Sequence, residues 1–326
     1  MRYFTRRLVF YIVTFWAAVT INFFIPRVLP GDPVSAILAR YKGTLTSDSA
    51  DALRAMFGMD NDASVWQQYL QYWGRLLHGD LGISFSQYPV PVSEIIAQAL
   101  PWTIGLVGVS TIISFTGGTL IGTYLGWRRG TKADALLPIS TFFSSVPYFF
   151  LALIMISFFA VRLRWFPTSG SYDRNMAPNW SWEFVGSVIY YGTLPALTII
   201  LTSIAGWILG MRNMTVTVSS EDYVTVAHAK GLKERHVMFG YAARNAILPQ
   251  MSSFALSLGF VVGGTLVMEQ VFSYQGIGRT LLVATSSYDY PLMQGCFLVI
   301  TIAVLMANIV ADFVYGVLDP RTRQEG

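Results

Sequence analysis

Six uncharged stretches set what this chain can fold into: Leu8–Ile25, Ile95–Trp127, Ala135–Val161, Phe184–Met211, Asn245–Met268 and Tyr290–Ala311. The shortest holds 18 residues, and a helix crossing a bilayer needs about 20, within a range of about 17–25. The runs are continuous rather than alternating, so they read as helices and not as barrel strands. Charged residues make up 12% of the chain, about half the usual share of a soluble domain. With a mean hydropathy of +0.49, the expected fold is all-α transmembrane, with six membrane-spanning helices in a single domain over residues 1–326. The second, third and fourth runs exceed the need, so they include tilted or interfacial residues. The start, MRYFTRR, has the basic opening of a signal peptide. No small-residue cleavage site follows Ile25, so an uncleaved first membrane helix is expected.

The distribution of Lys and Arg orients the spans. With the N-terminus inside, the inner segments hold 13 of the 22 basic residues, while 11 of the 18 acids fall outside. Both termini are therefore expected in the cytoplasm. Two polar segments stand out in that topology. The outer one, Gly31–Glu94, is too long for a simple connection. Its stretches Ser47–Met56 and Ser64–Leu77 look helical, and Asp80-Leu81-Gly82 turns the chain back, so an outer cap of short helices is expected over 31–94. A second outer loop, Arg162–Glu183, carries Trp165, Tyr172, Trp180 and Trp182, suited to an interfacial belt or to stacking on a ligand.

The inner segment, Ser219–Pro249, is the longest polar stretch facing the cytoplasm. Ser219-x-x-Asp222 fits a capping box in outline, and Glu221 and Asp222 place carboxylates in the first helical turn. Gly231 stands where a helix end favours a left-handed residue. A second helical run, Leu232–Ala246, is expected to stop before Pro249. Helix, glycine turn, helix is an ordered arrangement for a loop, and it suggests docking of a partner.

Several chemistries are excluded. None of the four lysines follows a glycine, so no Walker A sequence exists. The three histidines and the lone Cys296 have no metal-ligand spacing. The net charge of +4 is spread over loops rather than clustered, which argues against a nucleic-acid partner. Gly276-x-Gly278 lacks the strand and third glycine of a dinucleotide site. No catalytic set appears, so the chain reads as a non-enzyme whose energy source lies outside it. Span five carries small residues, Ser252, Ser253, Ser257, Gly259, Gly263 and Gly264, which suit close helix packing in the first place and would also suit the lining of a path. Asp312 follows directly on the sixth uncharged run, as the carboxylate of that span. It lies within two turns of Asp319, so it serves either local pairing or ion coupling.

Set in order between these spans, a series of short motifs resembles the permeases of dipeptide/oligopeptide ABC importers, the first of the two paired permeases. They are Leu29-Pro30-Gly31-Asp32-Pro33, Gln67-Gln68-Tyr69, Gly79-Asp80-Leu81-Gly82, Tyr223-Val224-x-x-Ala227-x-Ala229-Lys230-Gly231-Leu232, Arg244-Asn245-Ala246-Ile247-Leu248-Pro249, Glu269-x-Val271-Phe272, Gly276-Ile277-Gly278, Asp289-Tyr290-Pro291 and Leu318-Asp319-Pro320-Arg321. The chain departs from the pattern at Thr225-Val226-Ala227, where the general loop has Glu-Ala-Ala, at His228, where Arg is common, and at Gln275, where Pro is common.

The resemblance implies a second homologous permease, two cytoplasmic ATPase subunits carrying ATP and Mg, and an extracytoplasmic binding protein that delivers substrate. The chain itself would hold no cofactor. Residues 219–249 would form the coupling loop, with Asp222 in its first turn, Val226 and Ala227 seated against the ATPase, Gly231 reversing the chain, and Lys230, Lys233 and Arg235 facing charge or anionic lipid. A translocation path would draw on Ser253, Ser257, Gly263, Gly264 and Glu269. Peptide is the implied cargo, with oligosaccharide and then nickel as alternatives in the same branch. A self-sufficient carrier coupled through Asp312 is the competing class.

Overall fold

The structure, a computed structural model, describes residues 2–28, 64–259, 261 and 266–318. Among them the chain is almost wholly helical, with one isolated antiparallel bridge between Ile83 and Pro91. In order the helices are α1 Arg2–Val28, α2 Val65–Leu77, α3 Val92–Thr103, α4 Val109–Trp127, α5 Leu136–Ser145, α6 Tyr148–Met155 and α7 Trp182–Ser219. Then follow α8 Asp222–Ala229, α9 Glu234–Val237, α10 Arg244–Gly259, α11 Leu266–Val271, α12 Ile277–Ser286 and α13 Tyr290–Leu318. A π-helical turn, Ile104–Gly108, joins α3 to α4, and another, Met238–Ala243, joins α9 to α10.

Among the described residues, four helical segments are long and apolar enough to cross a membrane: Arg7–Val28, Val92–Trp127, Trp182–Ser219 and Tyr290–Phe313. They correspond to expected spans one, two, four and six. The third expected span is not one straight rod. Its two halves, Lys132–Ser145 and Tyr148–Arg162, meet at 96°. The break falls at Val146-Pro147, where the proline ring pushes Val146 out of the helical region to ψ 125°. Of the fifth, α10 and the start of α11 are described, while Gly263 and Gly264 lie outside the described residues, as do Ser47–Met56 and the Leu29–Pro33 motif.

The chain divides into two compact units, Met1–Trp102 with Gln275–Leu305, and Thr103–Tyr274 with Met306–Gly326. In the first, α2 begins with a complete capping box: Gln67 N–H donates to Ser64 Oγ at 3.3 Å, and Ser64 N–H donates to Gln67 Oε1 at 3.0 Å. The aromatic face of α2 packs on α1, with Tyr69 5.2 Å from Phe23 and its hydroxyl 2.7 Å from Thr20 Oγ1. Burial raises the Tyr72 phenol above its ordinary pKa, against a smaller opposing pull from Asn22. The turn after α2 forms as expected, with Gly82 at φ +82° and its N–H donating to Asp80 Oδ1 at 2.8 Å. Beyond it, the fully buried Asp289 Oδ2 accepts from Ser84 Oγ, Ser86 Oγ and Ser86 N–H at 2.5–2.8 Å. Its Oδ1 accepts from Leu292 N–H at 3.2 Å. One carboxylate thus ties the 84–86 turn to the start of α13 through several neutral donors.

The second unit is organised by α4 and α7. Gly118, Gly122 and Gly126 recur at every fourth position, on one face of α4. A methyl at Gly118 would lie 2.5 Å from Trp207 Cβ, at Gly122 2.5 Å from the Ile208 carbonyl oxygen, and at Gly126 2.7 Å from the Arg212 carbonyl oxygen. Backbone therefore meets backbone along two helical turns, the small-residue mode of membrane helix packing. Ser114 and Ser203 hydroxyls bridge the same two helices at 2.8 Å. Towards the other end, Phe115 stacks on Phe254 of α10 at 4.2 Å and meets Trp207 edge-on at 5.2 Å.

Candidate functional site

The polar segment after α7 folds as a hairpin of two short helices. Its opening differs from the expected capping box. Ser219 is the last residue of α7, and its hydroxyl donates backwards to the Val216 carbonyl at 2.8 Å, as Ser220 does to Thr217 at 2.7 Å. Both serines thus satisfy the end of α7 rather than the start of the next helix. Glu221, extended at ψ 147°, is the N-cap instead, without a side-chain cap bond. Asp222 opens α8, where its carboxylate suits the positive end of the helix dipole.

Gly231 closes α8 as the sequence requires, at φ +74° with its N–H donating to the His228 carbonyl at 2.9 Å. Nothing lies within 4 Å of where its Cβ would stand, so glycine is needed for backbone conformation and not for space. Lys233 then caps α9 through its carbonyl, which accepts from His236 and Val237 N–H at 2.8 and 3.1 Å. The expected stop before Pro249 does not occur. From Glu234 the chain stays helical through Pro249 to Gly259. In an apolar setting an interrupted backbone has no water to bond, so staying helical sacrifices one bond at the proline instead of several.

The hairpin has a filled inner face and an open outer one. Val224, Ala227 and Val237, each at most 2% exposed, form its core, with Leu232, Tyr241 and Trp127 packed around them. Ala227, expected to seat against a partner, is consumed by this core because it lies three residues from Val224 on one helix face. Val226 points outward at 51% exposure and Tyr223 at 37%. Lys230, Lys233 and Arg235 are exposed, and so are Glu221, Asp222 and Glu234. The rim is therefore balanced in charge, three acids against three bases, and is not a basic patch.

Two features that sequence reasoning passed over support this hairpin. The first is the α4 glycine ladder, whose four-residue spacing was legible in Gly118-x-x-x-Gly122-x-x-x-Gly126, although the small residues of span five drew the attention. The second is Trp127, the last residue of α4. Its indole N–H donates to Glu234 Oε1 at 3.0 Å, and its ring lies nearly parallel to His228 at 5.8 Å. Arg128 approaches Glu234 Oε2 at 3.9 Å. On the turn after α4, Asp134 accepts from Gly130 N–H at 2.7 Å and lies 3.7 Å from Arg212 of α7.

The residues expected on a path are not gathered in one place. Ser253 is exposed on α10, Ser257 is half-buried with its hydroxyl donating to the Phe254 carbonyl, and Gly263 and Gly264 lie outside the described residues. Glu269 is fully buried on α11 and accepts from Thr103 Oγ1 at 2.7 Å. It anchors α11 to the end of α3 inside the second unit. Among the described residues no cluster of His, Cys, Asp or Glu could hold a metal ion.

Comparison with known proteins decides the family. Residues 118–324, which include the glycine ladder, the hairpin and α13, match the binding-protein-dependent transport system inner membrane component family. The chain belongs to that family. It is 30% identical over 320 residues to the oligopeptide transport system permease protein AppB of Bacillus subtilis, covering 98% of each chain. It is 31% identical over 339 residues to the di/tripeptide transport system permease protein DppB of Pseudomonas aeruginosa, covering 100% of this chain and 99% of the relative. With the dipeptide transport system permease protein DppB of Escherichia coli K12 it shares 30% identity over 343 residues, again covering 100% and 99%. As a permease of a binding-protein-dependent importer, the chain is the membrane component; ATP hydrolysis resides in separate subunits.

Proposed function

We propose that this permease moves di- and oligopeptides across the cytoplasmic membrane, pairing with a second homologous permease above two cytoplasmic ATPase subunits. Six spans with both termini inside, an outer cap over residues 31–94 and delivery by an extracytoplasmic binding protein complete the reading. It is supported by the end-to-end similarity to the peptide permeases and by the charge bias of the loops.

The observation that carries the mechanism is the two-faced hairpin. Its inner side is packed on its own chain, while Tyr223 and Val226 on α8 face outward within a rim of mixed charge. A short helix of this build fits a groove on an ATPase: its apolar stripe supplies contact, and Asp222, Lys230 and Arg235 set register by charge. Nucleotide-driven closure of the ATPases then moves α8, and the bundle alternates between inward and outward access. On this reading Ser253 and Ser257 of α10 contribute to the route of the cargo.

The test is reconstitution of the whole importer with Val226→Asp and Gly231→Val. Both variants are expected to release the ATPases or to abolish peptide-stimulated ATP hydrolysis and uptake, and unchanged uptake in both sinks the docking role. Asp312→Asn separates the competing class. An ATP-driven importer keeps most of its uptake, whereas a carrier coupled through that acid loses it even with ATP present.

A further inference from the structure

The hairpin is continuous in chain with two spans and meets a third, α4, through side chains. α7 leads into it through Ser219–Glu221, and α9 runs out of it into α10 without a break. α4 is a chain neighbour of neither end. Its contact is made by its last residue and the one following, which engage opposite oxygens of one carboxylate: Trp127 binds Glu234 Oε1 at 3.0 Å and Arg128 approaches Oε2 at 3.9 Å.

The Trp127 ring also belongs to two separate apolar clusters. One is the hairpin core of Val224, Ala227 and Val237; the other is Met211, Val218, Ala242 and Ala246, at the junction of α7 with the helix leading into α10. His228 of α8 stacks on the ring at 5.8 Å with 23° between planes. One residue earlier, Gly126 presses the α4 backbone against the Arg212 carbonyl and Thr215 of α7. A displacement of α8 that moves the ring therefore meets a helix whose backbone is already locked to α7, and close-packed contacts of this kind transmit shifts instead of absorbing them.

We propose that Trp127 is the positioning residue through which motion of the docking helix α8 reaches α4, and through the glycine ladder the α4–α7 pair as one body. The assignment rests on the docking role of α8 proposed above. The indole serves two functions that a smaller side chain divides. Its ring fills both clusters, and its N–H fixes the ring to the first turn of α9.

The experiment uses the complete importer in proteoliposomes with a radiolabelled dipeptide, reading uptake per ATP hydrolysed with and without binding protein. Trp127→Ala is expected to lower uptake per ATP about tenfold, within the range of measured coupling between sites. The ATPases should still co-purify, and hydrolysis without binding protein should stay within about twofold, a split that a merely unfolded variant does not give. Trp127→Phe keeps the ring and loses the hydrogen bond, as Glu234→Ala does from the other side. Each should lower the ratio about threefold, and the double variant no further, because both remove one interaction. Glu234→Gln keeps an acceptor oxygen and should stay near the unsubstituted ratio.

An unchanged ratio in Trp127→Ala overturns the proposal. If that variant fails to assemble, the Phe and Ala pair carries the test, and independent, multiplying effects of the two overturn it. Val226→Asp distinguishes the underlying reading: ATPases that stay bound and functional in Val226→Asp remove the docking role, and this assignment with it. Release of the ATPases by Val226→Asp together with a silent Trp127→Ala removes the Trp127 assignment alone.

Discussion

The α4–α7 contact and the α8–α9 hairpin adjoin each other, yet they are joined to the molecule by opposite means. Along α4 the joint is made by omitting side chains, so that Gly118, Gly122 and Gly126 bring two backbones together. In the hairpin it is made by supplying them, with Val224, Ala227 and Val237 closed over by Trp127. The first kind of joint has no rotamers to adjust, so it holds or fails. The second rests on a core of a few small residues around a free-standing turn, so it is graded and can open locally while the bundle stays intact. A transporter that transmits motion needs both kinds, and here the graded one lies at the surface proposed to meet the ATPase.

The sharpest way to break this comparison is to add a side chain to the ladder. Gly122→Leu should abolish folded protein, since even its Cβ meets the Ile208 carbonyl at 2.5 Å and Met211 Cβ at 2.9 Å, and backbone cannot give way as a side-chain tip can. Gly122→Ala should destabilise by about 1–3 kcal/mol, the usual cost of overpacking. Gly206→Ala is the matched control on α7, because nothing lies within 4 Å of its Cβ position. It should be neutral or stabilising by up to about 1 kcal/mol, through the better helix propensity of alanine. Thermal melting of the detergent-solubilised permease, followed by size exclusion, separates the three, and equal loss in Gly122→Ala and Gly206→Ala removes the ladder.

Truncating the hairpin core is the next step down. Val237 is fully buried, and Val237→Ala removes about two methylene equivalents, worth about 1.6 kcal/mol. If the two joints are as different as their construction, this loss appears locally. Amide exchange in residues 222–237 should quicken about tenfold, while the melting of the bundle holds. A matching fall in the global transition contradicts the separation.

How much of this was legible beforehand follows the same division. Gly231 was readable because a helix that ends in the left-handed region leaves a mark on one residue, and its φ of +74° bears this out. Spans one, two, four and six were readable because crossing a membrane constrains some 20 residues at once. The start of the coupling segment misled, because Ser219-x-x-Asp222 has the right residues for a cap but the serine hydroxyl turned backwards to Val216. Sequence spacing does not distinguish a serine ending one helix from a serine beginning the next. The bend at Val146-Pro147 was hidden within a run of uniformly apolar residues, although the proline was in view. Trp127 had no local signal at all: its partners Glu234 and His228 are about a hundred residues away, and only folding brings them together. Asp289 is the same case in the other unit, recognisable as part of a motif but not as the acceptor for Ser84 and Ser86.

Gly231→Ala should have a smaller effect than truncating the core. No neighbour is touched, so the cost is the left-handed backbone alone, about 1 kcal/mol. Gly231→Asn should cost less, as Asn tolerates that region better than Ala. The ordering Gly, Asn, Ala in hairpin exchange rates checks this, and an equal effect of Asn and Ala argues for a steric origin instead.

The smallest effect belongs to Arg128. Its guanidinium lies 3.9 Å from Glu234 Oε2 with both side chains more than half exposed, so water and salt screen the pair and its net worth is about 0–0.5 kcal/mol. Arg128→Gln should leave both melting and hairpin exchange within that margin, and raising salt should erase what difference there is. Trp127, by contrast, holds the other oxygen of the same carboxylate through a directional bond from a half-buried ring, and its contribution should survive added salt. Comparing Arg128→Gln with Trp127→Phe across a salt series therefore asks which of two adjacent residues fixes the hairpin to α4. A loss in Arg128→Gln that exceeds the loss in Trp127→Phe at low salt and fades as salt is raised assigns the joint to charge, and the indole to packing alone.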